Sequence, residues 1–257
     1  MPDTEMLFQP LTLGPVTLRN RFIRAGANEG MVYRDAPSKA LLHHHRAMAA
    51  GGVGLTTVAY GAVSDVGRTL QAQVWLRPEI LPELKALADA VHAEGGAISY
   101  QITHGGSFIT SRRVKGATMS AMSGFNKAGF LRGNLFHRAM NRADMEQVTE
   151  QFVNAARVCR DAGFDAVEIH MGHGYLLNQF ISPLSNRRKD EYGGSALNRV
   201  RFPAQVLARV KAAVGNRMAV IAKINVADGL PGGATVEDGI VTAQALEAAG
   251  ADLLVLS

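Results

Sequence analysis

VEIHMGHGYLLNQFISPLSNRRKDEYGG, residues 167–194, begins as an apolar strand and turns polar where that strand ends. His170 closes the strand, and His173 and Tyr175 follow in a glycine-containing turn, so three polar side chains emerge together at a carboxyl end. In α/β barrels that end is where sites are built. Two imidazoles in one turn can both donate hydrogen bonds to a single oxyanion, and a phenol beside them can deliver a proton to an adjacent carbon. The His-x-x-His spacing also suits a metal, but no Cys, Asp or Glu lies near at a recognised offset. Histidines merely satisfied within the fold are a third reading, weakened by the turn-rich surroundings.

Outward from this strand, short apolar runs alternate with amphipathic stretches, the pattern of parallel strands joined by crossover helices. Six strands are expected, at 21–25, 53–59, 97–103, 166–170, 218–224 and 252–256, with helices over 38–50, 79–94, 144–162, 198–214 and 236–249. The fold class is therefore α/β, a single domain over 1–257 of (β/α)8 TIM-barrel type with six β/α units present. Six strands do not close an eight-stranded barrel, and the sixth runs into Ser257, so the domain is read as incomplete at its carboxyl end.

Thr235 with Asp238 three residues on reads as a capping box, and Gly95, Gly163, Gly215 and Gly250 follow helices. Gly51-Gly52-Val53-Gly54 resembles a phosphate loop but follows a helix and opens a strand, the reverse of the required order. His43, His44 and His45 are read as an ordinary helix face, since successive helical residues point about 100° apart and cannot converge on one ion. No metal site is expected. Residues 104–143 show no clear period and carry Phe108, Phe125, Phe130 and Phe136 with Arg112 and Arg113. They are read as a lid or short hairpin over a pocket, with a flap packed on its own barrel the alternative.

The composition sets limits. At 257 residues and 47% hydrophobic, the chain can bury a substantial core, and a barrel of about 250 residues is of ordinary size. A formal charge of +5 fits an anionic cofactor or substrate as readily as a nucleic-acid surface. The Lys and Arg are scattered with no recognition motif, so nucleic acid is not expected as a partner. No apolar run reaches membrane-spanning length, and the opening MPDTEMLFQP is not a secretory signal. The single Cys159 cannot form an internal disulfide, reads as a core residue and fits a cytoplasmic protein.

The run from His170 to Pro183, continuing through Asn186 to Ser195, resembles the signature of the old yellow enzyme family. The likeness extends to Leu7-Phe8-x-Pro10, Leu18-Arg-Asn20-Arg21, Gly51-Gly52-Val53-Gly54-Leu55, Gln101-Ile-Thr-His104-Gly105 and Ala162 to Glu168. It implies a barrel holding FMN over the carboxyl ends of its strands, reduced by NAD(P)H and reoxidised by a small electron-poor alkene: an enone, a dienoyl or a nitro compound. In that reading His170 and His173 bind the acceptor's oxygen, and Tyr175 donates a proton to the α-carbon after hydride reaches the β-carbon. Gln101 meets the flavin's pyrimidine edge, and Lys223 stands where relatives usually have Arg.

Ala25-Gly26-Ala27-Asn28 replaces the relatives' Ala-Pro-Met followed by Thr or Cys, with Asn28 able to reach the flavin's C4 oxygen. Tyr60 replaces a small residue near the flavin, so that a backbone contact is what carries over. Relatives grip the FMN phosphate with two further strands. Neighbouring branches of the family, dienoyl-CoA reductases and amine dehydrogenases, add an iron–sulfur cluster, against which the lone Cys159 argues within this span. A catalytically silent fragment is the alternative from another class, and a homo-oligomer is permitted.

Overall fold

The computed structural model describes residues 4–70, 72–110, 118–126, 130 and 135–257. Six parallel strands form its centre: β1 Ile23–Arg24, β2 Leu55–Ala62, β3 Ala97–Thr103, β4 Ala166–Met171, β5 Ala219–Ile224 and β6 Leu253–Leu256. They lie side by side in chain order, as right-handed β/α crossovers dictate. The helices are α1 Lys39–Ala50, α2 Leu81–His92, α3 Arg142–Asp161, α4 Leu176–Ile181, α5 Ala196–Val214 and α6 Val236–Ala248.

Strand periodicity sorts the side chains into two cores. On β4, Val167, Ile169 and Met171 point outward and pack with Phe152 and Val153 of α3 and Val206 and Leu207 of α5. Ala166 points inward, joining Leu55, Ala219 and Ile221 in a second, smaller cluster. That cluster is plugged by Leu13 and Leu18 from an antiparallel hairpin pairing Leu11–Leu13 with Val16–Leu18. The inner space is thus closed by hydrocarbon at the strands' amino ends. Polar side chains occupy the levels above.

The expected capping box is present, with Asp238 N donating to Thr235 Oγ1 and Thr235 N to the Asp238 carboxylate. Gly95, Gly163, Gly215 and Gly250 all take positive φ after their helices. Gly54 packs against the Asn20 carbonyl, while Arg19 donates to the carbonyls of Ala49, Val53 and Glu94. That glycine run is a close-packing joint between α1 and β2.

Several expectations are corrected. The first strand shrinks to Ile23–Arg24 because Arg21 N is drawn away to Leu7 O. The second runs on to Ala62 through a register shift between Val58 and Gly61. His45 does not lie on an exposed helix face: it is buried, its Nδ1 2.8 Å from Thr56 Oγ1 and its Nε2 3.6 Å from Glu29 Oε1. The described part of 104–143 forms a small sheet in which Phe136–Ala139 pairs with Thr118–Ser120 and Gly124–Phe125. Arg112 and Arg113 lie outside the described residues.

Candidate active site

Two parallel ladders bring the site together. Pairing of β4 with β5 sets His170 opposite Lys223, and pairing of β4 with β3 sets Glu168 opposite Gln101. Glu168 and His170 share the inner face because they are two residues apart on one strand. Gln101 Nε2 donates to Glu168 Oε1 at 2.5 Å, leaving the amide oxygen of Gln101 for another partner. Burial pushes the Glu168 carboxyl up, opposed by the Gln101 hydrogen bond and the Lys223 charge. Lys223 Nζ reaches the Gly26 carbonyl at 3.4 Å.

Gly26 belongs to the segment Ala25–Asn28, which leaves β1 at the same level. A Cβ on Gly26 would lie 3.0 Å from Gln101 Nε2 and 3.1 Å from Ala59 Cβ, so only glycine fits that approach without displacing a neighbour. Ala25, Ala27 and Asn28 are exposed along the rim, and Asn28 Oδ1 accepts from Gly30 N at 3.2 Å. Beneath them Glu29 accepts from Arg24 Nη1 at 2.7 Å and from Ala59 N at 3.1 Å, tying the rim to the end of β2.

The turn after β4 is built from left-handed backbone. His173 has φ 56° and Gly174 φ 76°, a conformation costly for a residue with a Cβ and easy for glycine. Gly172 lies against Asn225 and Gly174 against the Phe108 ring. The turn is held by His173 N donating to Asn225 Oδ1 at 3.0 Å and Gly174 N to Asn178 Oδ1 at 2.8 Å. Gln179 Nε2 donates to Gly174 O at 2.7 Å. Asn178 and Gln179 come from α4, a short helix inside the motif that is not among those expected from the sequence.

His170 Nδ1 accepts from Gly172 N at 3.3 Å, which puts its proton on Nε2. That Nε2 lies 3.3 Å from His173 Nδ1, while His173 Nε2 lies 2.7 Å from Ser257 Oγ. A hydroxyl can donate or accept, so Ser257 permits either tautomer of His173. With the proton on Nδ1, both imidazoles present N–H groups to one point. Burial, reinforced by the nearby His173 and Lys223, holds the His170 pKa at about 3, and burial also lowers that of His173. Both shifts favour the neutral imidazoles.

Tyr175 packs edge-on against His170 with ring centroids 4.9 Å apart. Its hydroxyl donates to Tyr60 Oη at 3.0 Å, and burial, joined by that hydrogen bond so long as it keeps this direction, pushes the phenol's pKa up. Tyr60 therefore brings a side chain as well as backbone. A cavity of about 460 Å³ opens beside the cluster, lined by Phe108, His137, His173, Asn178 and Asp228 among others. Among the described residues no group of three or more His, Cys, Asp or Glu could hold a metal, and no helix is long and apolar enough to cross a membrane.

Residues 6–257 match the NADH:flavin oxidoreductase / NADH oxidase family. The chain belongs to this family. It is 41% identical over 249 residues to a 4,4'-dithiodibutanoate disulfide reductase of Rhodococcus erythropolis, a match covering 96% of this chain and 60% of that protein. To an NADPH dehydrogenase of Geobacillus sp. (strain WCH70) it is 34% identical, over 98% of this chain and 72% of the relative. The old yellow enzyme of Pichia sp. AKU4542 superposes with a TM-score of 0.85 at 25% identity, covering 98% of this chain and 70% of that one.

Flavin, as FMN, is the cofactor of this family and NAD(P)H its reductant. The residues present fit an isoalloxazine: a buried cation at Lys223, a buried amide at Gln101, and a rim that closes tightly only with glycine at 26.

Proposed function

We propose that the protein is an FMN-dependent oxidoreductase that passes hydride from NAD(P)H to a small acceptor clamped by His170 and His173 and protonated by Tyr175. The convergence of His170 Nε2 and His173 Nδ1 at 3.3 Å beside the Tyr175 ring carries this reading. FMN supplies the two-electron chemistry. Lys223 and Gln101 hold its ring, with the backbone of Ala25, Gly26, Ala27 and Tyr60 and the Asn28 amide along its edge. The lysine offers the point charge that an anionic reduced flavin requires.

The two neutral imidazoles donate to the acceptor's carbonyl or nitro oxygen, lowering the cost of charge that develops there. Tyr175 keeps its proton through the physiological range and yields it to the strongly basic α-carbon. An activated alkene is the acceptor that uses both groups. A disulfide is the second reading, favoured by the likeness to the dithiodibutanoate reductase. There hydride adds to one sulfur and the departing thiolate takes a proton from water, giving two thiols.

The test is stopped-flow kinetics of the FMN-reconstituted chain and its Tyr175→Phe variant. Reoxidation by an enone should fall by about 10² to 10⁴ while reduction by NAD(P)H is unchanged. Equal loss in both half-reactions, or a chain that takes up no FMN, would remove the proposal. Faster reoxidation by an organic disulfide than by any enone would select the second acceptor.

A further inference from the structure

Tyr60 stands at the end of β2 with more hydrogen-bonding structure around it than a flavin contact needs. Tyr175 donates to Tyr60 Oη at 3.0 Å, and Tyr60 Oη lies 3.0 Å from Thr69 Oγ1. Thr69 Oγ1 donates to Gln73 Oε1 at 3.1 Å. Because the threonine's proton is committed to Gln73, the chain has one direction at rest: Tyr175 to Tyr60 to Thr69 to Gln73. In that state the Tyr175 proton points away from any acceptor lying over His170 and His173.

Gln73 Oε1 also accepts from Thr69 N at 2.8 Å, and both Thr69 and Gln73 are buried. If the Thr69 hydroxyl turns toward Tyr60, the glutamine oxygen keeps a partner. No buried polar group is then stranded, which is the usual obstacle to rearranging such a network. The reversal needs only hydroxyl rotations. It leaves Tyr60 donating to the Tyr175 oxygen.

We propose that Tyr60 is a positioning residue for the proton donor, its hydroxyl switching from accepting the Tyr175 proton to donating to the Tyr175 oxygen as that proton leaves. The Tyr175 O–H bond breaks as the acceptor's new bond to hydrogen forms, Tyr60 and Thr69 stabilise the resulting phenolate, and water reprotonates it. This rests on the reading of Tyr175 as proton donor. The titratable groups around Tyr175 are Tyr60 from β2 and His170 from β4, with His173 and Lys223 beyond them. Among the described residues, Tyr60 is the one shown hydrogen-bonded to the Tyr175 oxygen.

Tyr60→Phe keeps the ring and removes the hydroxyl. In the FMN-reconstituted chain it should slow enone reoxidation roughly 10-fold, leave reduction by NAD(P)H unchanged, and add nothing to the loss in Tyr175→Phe. An independent readout uses the flavin-free chain with a ring-fluorinated tyrosine at position 175, titrated by fluorine NMR. If Tyr60 donates to the phenolate, its removal raises that ionisation by about one pH unit. A Tyr60 that only accepts would give a downward shift, which overturns the proposal, as does no shift. Thr69→Val should move the ionisation in the same direction by less. Loss in Tyr175→Phe without any in Tyr60→Phe removes this inference alone; no loss in Tyr175→Phe removes the parent reading with it.

Discussion

His170 and Lys223 face one another at the carboxyl ends of adjacent parallel strands, and the lysine's charge helps keep the imidazole neutral. The same charge opposes the upward push of burial on the Glu168 carboxyl one level below. Lys223→Met should therefore weaken FMN binding about 10-fold, an estimate for losing one point charge near an anionic ring, while Lys223→Arg retains it. Fluorimetric titration of the flavin-free chain measures both.

Gly174→Ala tests the turn. A Cβ there overlaps the Phe108 ring and must be carried at φ 76°. The expected cost is about 1–3 kcal/mol of stability from overpacking and backbone strain. Displacement of Tyr175 should also slow reoxidation of bound flavin. Urea unfolding and stopped-flow reoxidation would show both.

Acid should destabilise the chain through its buried imidazoles. Burial holds His104 at about 4 and His170 at about 3, against 6.5 for the ordinary side chain. Below 6.5 the unfolded chain binds protons that the folded chain refuses, so this contribution to stability is complete above that pH and is lost as pH falls. Each group adds a slope of up to about 1.4 kcal/mol per pH unit. His104→Asn, whose Oδ1 can still accept from Gly106 N as Nδ1 does, should flatten the urea midpoint's dependence on pH in that range.

Arg188, within the opening motif, does a scaffold's work. Its Nη1 donates to Ala121 O at 2.9 Å and to Met140 O at 2.8 Å, pinning the small sheet inside 104–143 to the loop after α4. Arg188→Ala removes hydrogen bonds from a charged donor, so a loss of about 1.5–3 kcal/mol is expected. Limited proteolysis should then cut within 104–143 sooner than in the parent chain.

The regular part of the fold was legible from periodicity. Ala97–Thr103 matches the expected strand to the residue and the other five differ only at their ends, because each is a short apolar run set between amphipathic stretches. What escaped was stabilised from a distance. The Leu11–Leu13 and Val16–Leu18 hairpin is too short to announce itself and exists as a plug for the inner core. Helix α4 is only six residues long and is held by the turn it clamps. The partnership of His45 with Glu29 joins an apparent surface helix to a rim loop. At the site, the spacing of His170, His173 and Tyr175 announced that the three lie together, but Asn225, Ser257 and Thr69 lie far away in sequence and carry no local signal. Glu168 could have been found: two residues before His170 on one strand, it must share the inner face.

The strand ladders also govern how this protein can change over generations. Deleting one residue from β5 would slide Ala222 or Ile224 into the position of Lys223 and turn the cation outward into the hydrocarbon beneath the helices. Insertions in surface loops outside such ladders cost mainly loop-closure entropy, which grows slowly with length. Evolution, or a protein engineer, therefore finds two kinds of sequence here. Letters inside the strands can be exchanged but not added or removed, whereas surface loops can change length, so the rim of the cavity can drift while the side chains carried by the strands stay in place.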